Sequence, residues 1–475
     1  MTKLKTRFAP SPSGLLHLGN VRTALFNALL ARRNQGIFLL RIEDTDQERS
    51  AEKYVEALME DLRWLGLGWQ EGPEVEGEVG PYRQSQREPI YRAYFQRLEA
   101  EELAYPCFCS PEELERVRKR QLAAGQAPRY AGTCARLAPE EVESKLAAGL
   151  KPTLRFRVPL LATVEFEDLV RGPQRFATGD IGDFIIRRAD GSPAFFFSNA
   201  LDDALMGVTH VLRGEDHLTN TPRQILLLQA LGLPAPRYGH IAMIVGSDGA
   251  PLSKRHGSRS LQELRETGYL PEALCNYLAR LGHHYEDTDF LDLDALAAKF
   301  DLDRLGRAPA RFDLQQLQHW QREALAHRDV DTLGQWLAPV VAQQVPADKY
   351  QDFVEAVRPN VVLPEDARHW ARVLFGEELV LKNHVLPIIQ EAGPAFFTQA
   401  LAAVDNCGTD FKALTIQLKQ TTGAKGKSLF LPLRAALTGE LDGPELARLL
   451  PLLGTGRVRQ RLQNCMHPEH SLTTY

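Results

Sequence analysis

The fourteen residues Arg7-Phe8-Ala9-Pro10-Ser11-Pro12-Ser13-Gly14-Leu15-Leu16-His17-Leu18-Gly19-Asn20 leave the chain few ways to fold. They have the form of a strand, a stiff loop and the start of a helix. Pro10 and Pro12 each fix φ and remove a donor, so the loop cannot continue a helix. Gly14 and Gly19 let backbone approach a ligand with no Cβ in the way. His17 to Asn20 falls where a helix begins, and a helix N-terminus favours phosphate through its free N–H groups and dipole. Chemistry on a nucleotide is the expectation. Leu18, Val21, Leu25, Ala28 and Leu29 then recur at helical spacing, and Gly36 is placed to stop the helix. Ile37 to Ile42 reads as a strand buried in a parallel sheet. Strand, helix, strand opens a doubly wound fold, which binds ligands at the carboxyl ends of its strands. Glu43-Asp44-Thr45-Asp46 falls at such an end, where Asp46 also suits a helix N-cap.

With His17-Leu18-Gly19-Asn20 as its tetrad, this stretch resembles the HIGH signature of class I aminoacyl-tRNA synthetases. The lead-in R-F-A-P-S-P-S-G narrows the resemblance to the glutamyl branch. A lone H-x-G occurs in many unrelated proteins, but a second motif far along the chain agrees. Gly246 to Ala250 reads as a turn-rich hairpin leading into Pro251-Leu252-Ser253-Lys254-Arg255-His256-Gly257. That segment resembles the KMSKS loop, with Lys254 as its second lysine. A mobile cationic loop can close over pyrophosphate as it leaves, stabilising the charge that builds at the α-phosphate. Pro251 stands where the first lysine is usual, so Lys254 and Arg255 carry the charge.

The resemblance implies that glutamate's α-carboxylate attacks the α-phosphorus of ATP, giving glutamyl-adenylate, and that the terminal adenosine hydroxyl of tRNA takes the glutamyl group. Such catalysis is positioning plus charge stabilisation. By the same resemblance His17 and Lys254 are catalytic, with Mg2+ on the phosphates. Gly19, Asn20, Asp216, Ser253 and Arg255 join them around ATP. Arg7, Ser11, Glu43, Phe195, Asn199 and Arg213 surround glutamate, with Glu43 on the ammonium group. An arginine at 213 makes chemical sense, because its fork pairs a carboxylate and rejects a neutral amide. Phe195 stands where the family usually has tyrosine, so the pocket lacks one hydroxyl. The family also implies that tRNA must bind before glutamate is activated efficiently.

Composition sets outer bounds. At 475 residues the chain is too long for one compact core. Its 44% apolar and 25% charged residues are ordinary for a soluble globular protein. No apolar run approaches the roughly 20 residues that span a bilayer, and the polar Met1–Lys5 leader is no signal peptide. Six unevenly placed cysteines make no disulfide framework, which points to a reducing cytoplasm. A net charge of −5 argues against a generic nucleic-acid binder, and no DNA-binding pattern appears.

From about Tyr82 to Ser192 long charged helices enter, with Cys107-Phe108-Cys109. This resembles the family's acceptor-end insertion. Cys107, Cys109 and Cys134 supply three thiolates suited to zinc. Arg136 holds the place where zinc-bearing members often have histidine, and Tyr130 could be an unusual fourth ligand, as in related glutamyl transferases. Zinc and a metal-free knuckle with three thiols both remain open. Leu154–Val158 and Phe184–Arg188 read as half-exposed strands. Ala194 to Asn199, with three consecutive phenylalanines, reads as a return into the core sheet.

The fold expected is an α/β Rossmann-type catalytic domain with an inserted α+β acceptor-binding domain, followed by all-α stem-contact and anticodon-binding domains. Its parts are 1–82 and 193–245 for the catalytic halves, 83–192 for the insertion, 246–322 for the KMSKS loop and stem contact, and 323–475 for the helical end. Pro346 and Gly393-Pro394 punctuate that end. Between Phe411 and Arg461 nine Lys and Arg face three acids, a balance of +6, which fits a phosphate footprint. The resemblance runs to about Arg461 and implies a cytoplasmic, monomeric glutamate–tRNA ligase acting on tRNA-Glu, tRNA-Gln or both. Two enzymes with the same catalytic fold are the alternatives, a tRNA-modifying glutamyl transferase and a small-molecule adenylyltransferase. The first lacks the helical end, and the second has no need of it. A non-catalytic tRNA-binding relative would be expected to have lost His17 or Lys254.

Overall fold

The computed structural model describes residues 3–46, 50–75, 77–252, 259–379 and 381–466. They form two compact units, residues up to 266 with 271–317, and 267–270 with 318 onward. In the first, β1 (Lys5–Phe8) and β2 (Ile37–Leu40) pair in parallel with α1 (Leu18–Arg33) between them in sequence. Leu18, Val21, Leu25 and Leu29 of α1 are all buried, as their spacing requires. The end of α1 differs from expectation. Gln35 takes the left-handed conformation (φ 50) and donates to the Arg32 carbonyl, while the Gly36 N–H reaches back 2.8 Å to the Ala31 carbonyl. This is a Schellman closure one residue earlier than the glycine suggested. Position 36 is glycine for another reason, since a Cβ there would run into the Leu4 carbonyl.

After α2 (Glu52–Trp64) come α3 (Glu88–Ala100), β3 (Ala104–Cys107), α4 (Pro111–Ala123), α5 (Pro139–Ala147), β4 (Thr153–Phe156), β5 (Thr163–Asp168), β6 (Gly172–Ala177), α6 (Thr178–Ile181) and β7 (Phe184–Arg187). β4 is central in an antiparallel sheet between β3 and β7, and β5–β6 is a separate ribbon. Being central, β4 is covered on both faces rather than half-exposed. Arg155 is 6% exposed and lies 3.8 Å over the Tyr130 ring.

The phenylalanine run is a helix and not a strand. It opens α7 (Phe195–Leu205), capped by Ala194 in extended conformation. A short apolar run bounded by a turn fits a buried helix as well as a strand. The downstream Asp202 and Asp203 decide between them, because consecutive helical positions diverge by about 100° and reach two sets of partners. Asp202 accepts from Gln84 (2.9 Å), Arg87 (2.7 Å) and Tyr91 (2.7 Å). Asp203 accepts from Arg7 (3.2 and 3.3 Å) and Arg41 (2.7 Å). Both carboxylates are fully buried.

Next come β8 (His210–Gly214), α8 (Thr221–Ala230) and β9 (Arg237–Ile241). β8 and β9 pair in parallel, with Arg213 directly opposite His240. Lys5 and Thr209 join this pair to β1. β10 (Ile244–Val245) and β11 (Ala310–Arg311) form a further parallel pair. Between them in sequence lie α9 (Leu261–Thr267), α10 (Pro271–Arg280) and α11 (Leu293–Lys299).

α12 (Leu314–Ala326) leads into the second unit, which contains α13 (Val330–Val341), α14 (Tyr350–Val357), α15 (Pro364–Phe375), α16 (Leu386–Cys407), α17 (Phe411–Thr422), α18 (Lys427–Thr438) and α19 (Leu446–Asn464). α16 breaks at Gly393 (φ 74), just before Pro394, as the sequence suggests. The basic end divides into two roles. Arg434, Arg457 and Arg461 spend their guanidinium groups on backbone carbonyls, and Arg459 pairs with Asp405. Lys412, Lys419, Lys425 and Lys427 stay exposed. No helix is long and apolar enough to cross a membrane among the described residues.

Candidate active site

A cavity of about 860 Å³ opens at the carboxyl ends of β1, β2 and β8. Arg7, Ser11, His17, Gly19, Asn20, Glu43, Phe195, Asn199, Arg213 and Asp216 all line it. These are the expected glutamate and ATP residues that lie within the described part of the chain. Ser253, Lys254 and Arg255 lie outside it. The flanking Pro251 and Leu252 line the cavity, and Ser260 bridges to His17 in antiparallel fashion.

His17 is the N-cap of α1 (φ −99, ψ 161) and among the described residues makes no side-chain cap bond, which leaves its exposed imidazole open to a ligand. The first turn of α1 carries no acid, leaving its N–H groups and dipole open to an anion. A Cβ at Gly14 or Gly19 would meet nothing within 4 Å. Protein packing therefore does not demand either glycine, and both leave room on the cavity side.

One hydrogen-bonded chain organises the rest. Arg41 (2.9 Å) and Asn199 (2.7 Å) both donate to Oε1 of Glu43. Gln224 donates to Asn199 (2.8 Å), and Nη2 of Arg213 donates to Gln224 and Thr221 (2.7 Å each). Nε of Arg213 donates to Nε2 of His240 at 3.2 Å. Among the described residues Nη1 of Arg213 is buried with no hydrogen-bond partner, and burial lowers the guanidinium pKa to about 10. Burial likewise raises the Glu43 carboxyl, with Arg41 working against it. An opposed anion and an orphaned cation in one cavity suit a ligand bearing both charges. His217 packs 5.4 Å from the Phe195 ring, and burial beside Arg213 lowers its pKa to about 4, so it is neutral.

Sequence reasoning missed Thr221, Gln224, His240 and Asp168. Gln224 borders the apolar run Ile225–Leu228 and His240 the apolar run Ile241–Val245, and neither position alone points to a ligand. Asn276 and Tyr277, within the 246–322 stretch expected to contact the tRNA stem, are buried. Asn276 holds both ends of the 276–291 segment together, and the Tyr277 hydroxyl accepts from the Asp313 N–H.

The sulfurs of Cys107, Cys109 and Cys134 lie within 4.8 Å of one another. The Tyr130 hydroxyl is 3.4 and 3.5 Å from the first two and accepts the Cys134 N–H at 2.8 Å. Burial raises the Cys107 thiol, but Tyr130 and Arg155 more than offset this and bring it to about 7. The Cys109 and Cys134 sulfurs are 3.6 Å apart. Thiolates sharing one zinc at about 2.3 Å would lie about 3.8 Å apart, so the residues present fit that metal.

The family model described as "tRNA synthetases class I (E and Q), catalytic domain" matches residues 3–319. The chain belongs to that family. A second match, "Anticodon binding domain", covers residues 328–466 of this synthetase. It is 85% identical over 465 residues to a protein of Nitrosococcus oceani named glutamate–tRNA ligase 2, covering 98% of each chain. A relative from Alkalilimnicola ehrlichii with the same name is 58% identical, covering 97% of each. Among solved structures, the glutamate tRNA ligase of Elizabethkingia meningosepticum in complex with its amino acid superposes with a TM-score of 0.88 at 29% identity. That match covers 98% of this chain and 99% of the other. In this synthetase a second cavity, of about 1460 Å³, shares Phe195 with the first. Arg116, Lys119, Arg120, Arg129, Arg188 and Arg223 line it.

Proposed function

We infer that this chain activates L-glutamate with ATP and transfers it to the terminal adenosine of tRNA. The observation that carries this reading is Arg213, whose Nη1 has no hydrogen-bond partner among the described residues, lining the same cavity as Glu43 at the N-terminus of α1. Arg213 takes the side-chain carboxylate and Glu43 the ammonium group, with Arg7, Ser11, Phe195 and Asn199 completing the pocket. The α-carboxylate then attacks the α-phosphorus in line, with Mg2+ on the phosphates of ATP. His17 donates to a phosphoryl oxygen while Gly19, Asn20 and Asp216 hold the nucleotide. Ser253, Lys254 and Arg255 neutralise the departing pyrophosphate. Each of these groups positions or stabilises charge, and none forms a covalent bond to substrate.

The arginine-lined cavity supports entry of the tRNA acceptor end through the 83–192 insertion, with Phe195 where the two cavities meet. The exposed lysines on and beside α17 and α18, with exposed Ile416 and Phe430 among them, support anticodon-loop contact through phosphate neutralisation and base stacking. The remaining boundaries follow the same reading, with the catalytic halves at 1–82 and 193–245, stem contact at 246–322 and anticodon recognition from 323. The enzyme works as a cytoplasmic monomer.

Charging of radiolabelled glutamate onto purified tRNA-Glu and tRNA-Gln, in separate reactions, tests the inference and identifies the acceptor. Glutamyl-tRNA formed with either acceptor supports it, and no product with either overturns it.

Cys107, Cys109, Tyr130 and Cys134 would hold zinc, which supplies a structural crosslink to the knuckle and takes no part in the reaction. Purified protein is expected to carry about one zinc per chain, and Cys134→Ser almost none. Elemental analysis alongside a melting curve reads both. Metal-free wild-type protein with an unchanged melting point would assign the knuckle to free thiols.

A further inference from the structure

Arg213 and His240 face each other across the β8–β9 ladder, and behind His240 stands Asp168, at the end of β5 in the inserted stretch. All three are buried, His240 completely. Oδ1 of Asp168 accepts the backbone N–H groups of Val170 (2.9 Å), Arg171 (2.8 Å) and His240 (3.2 Å). Its Oδ2 lies 2.5 Å from Nδ1 of His240. Unlike Arg213, neither Asp168 nor His240 lines the cavity, and the mechanism above does not use them.

We propose that Asp168 and His240 are positioning residues that fix a single imidazole tautomer behind Arg213 and so set its grip on the substrate's side-chain carboxylate. The proposal rests on the reading of Arg213 given above. A carboxylate holding three amide donors stays ionised and can only accept, so the proton between it and His240 resides on Nδ1. Burial opposes a charge on the imidazole, and the neighbouring Arg213 and Arg171 oppose it further. Nε2 of the neutral ring therefore presents a lone pair.

That lone pair meets two donors, Nε of Arg213 at 3.2 Å and the Thr221 hydroxyl at 3.0 Å. Thr221 already accepts from Nη2 of Arg213, and its single hydrogen has the shorter path to His240, at 3.0 Å against 3.4 Å to the His217 carbonyl. Every contact is satisfied in this tautomer alone. Exchanging the proton to Nε2 would set an N–H against the Nε–H of Arg213 and displace the guanidinium. With Nε and Nη2 both held, Nη1 is the one donor group left over for a ligand.

Asp168→Asn separates this role from simple packing. The asparagine carbonyl keeps the three amide bonds, so its NH2 faces Nδ1 and forces the proton to Nε2, the wrong-tautomer effect known from catalytic triads. In tRNA-dependent ATP–pyrophosphate exchange, its KM for glutamate is expected to rise on the order of 10- to 100-fold. KM for ATP and the melting midpoint should stay near wild type. His240→Gln offers a carbonyl to Arg213 and an NH2 to Asp168, and should recover most of the glutamate KM lost in His240→Ala.

Arg213→Lys is the control for the underlying reading. If it leaves glutamate KM unchanged, the assignment of Arg213 fails. If it raises KM while Asp168→Asn does not, the relay alone fails. One readout needs no folded Asp168 variant. Long-range ¹H–¹⁵N spectra of the unmutated enzyme, with the His240 signals identified by their loss in His240→Gln, should show a proton on Nδ1. A proton on Nε2 overturns the proposal.

Discussion

Arg213→Ala is expected to lower kcat/KM for glutamate by roughly 150- to 5,000-fold while leaving the KM for ATP near its wild-type value. Removing one member of a buried, hydrogen-bonded charge pair costs about 3–5 kcal/mol, and each 1.36 kcal/mol is tenfold in rate. The wild-type guanidinium already stands in the pocket with Nη1 bare, so it holds its carboxylate without first breaking a bond. Alanine leaves the substrate's anion desolvated beside Glu43, which repels it. Glutamine loses far less, because its amide never had a salt bridge to lose. The ratio of glutamate to glutamine charging should therefore collapse, and that ratio, measured with both radiolabelled amino acids, is the decisive readout. A variant that keeps its preference for glutamate would place side-chain recognition elsewhere.

The second large effect concerns stability. Asp203→Ala is expected to destabilise the first compact unit by about 3–5 kcal/mol, seen as a fall in its melting transition. Arg7 would remain buried without its ion-pair partner, and Arg41 would keep Glu43 alone. Burial by itself would raise the Asp203 carboxyl, but Arg7 and Arg41 outweigh it and hold the group below its ordinary value. A carboxylate depressed on folding contributes stability that is complete above its unfolded pKa, about 3.9. That contribution is lost as the pH falls through the lower folded value. Wild type and Asp203→Ala should therefore converge in strongly acid solution and stand furthest apart near neutrality. Because the chain has two units, the first transition and not a global midpoint is the quantity to compare.

Much of this site could be read directly from residue order. The proline-rich loop, the start of α1 at His17 and the acidic end of β2 are local features whose spacing dictates their geometry. What could not be read depends on partners distant in sequence. The phenylalanine run is apolar either way, and only the placement of Asp202 and Asp203 against Gln84, Arg87, Tyr91, Arg7 and Arg41 makes it helical. Gly36 looked like a left-handed stop, yet its glycine is demanded by the Leu4 carbonyl across the turn. Arg155 alternates as an exposed strand residue would, but Tyr130 covers it. His240 and Asp168 sit 72 positions apart, and no local pattern joins them. The cysteine knuckle belongs with the legible features, since its thiol spacing and Tyr130 are both read from residue order and the fold brings them together.

The two neighbouring carboxylates of α7 also decide how far this enzyme can be taken apart. Every side chain bound to Asp202 comes from residues 84–91, and the anion behind His240 comes from residue 168. Excising residues 84–192 as a cassette would strip the catalytic sheet of counter-charges it has already buried. A minimal catalytic core cannot be trimmed from this chain by deletion alone, and a transplanted insertion would have to bring Gln84, Arg87, Tyr91 and Asp168 with it.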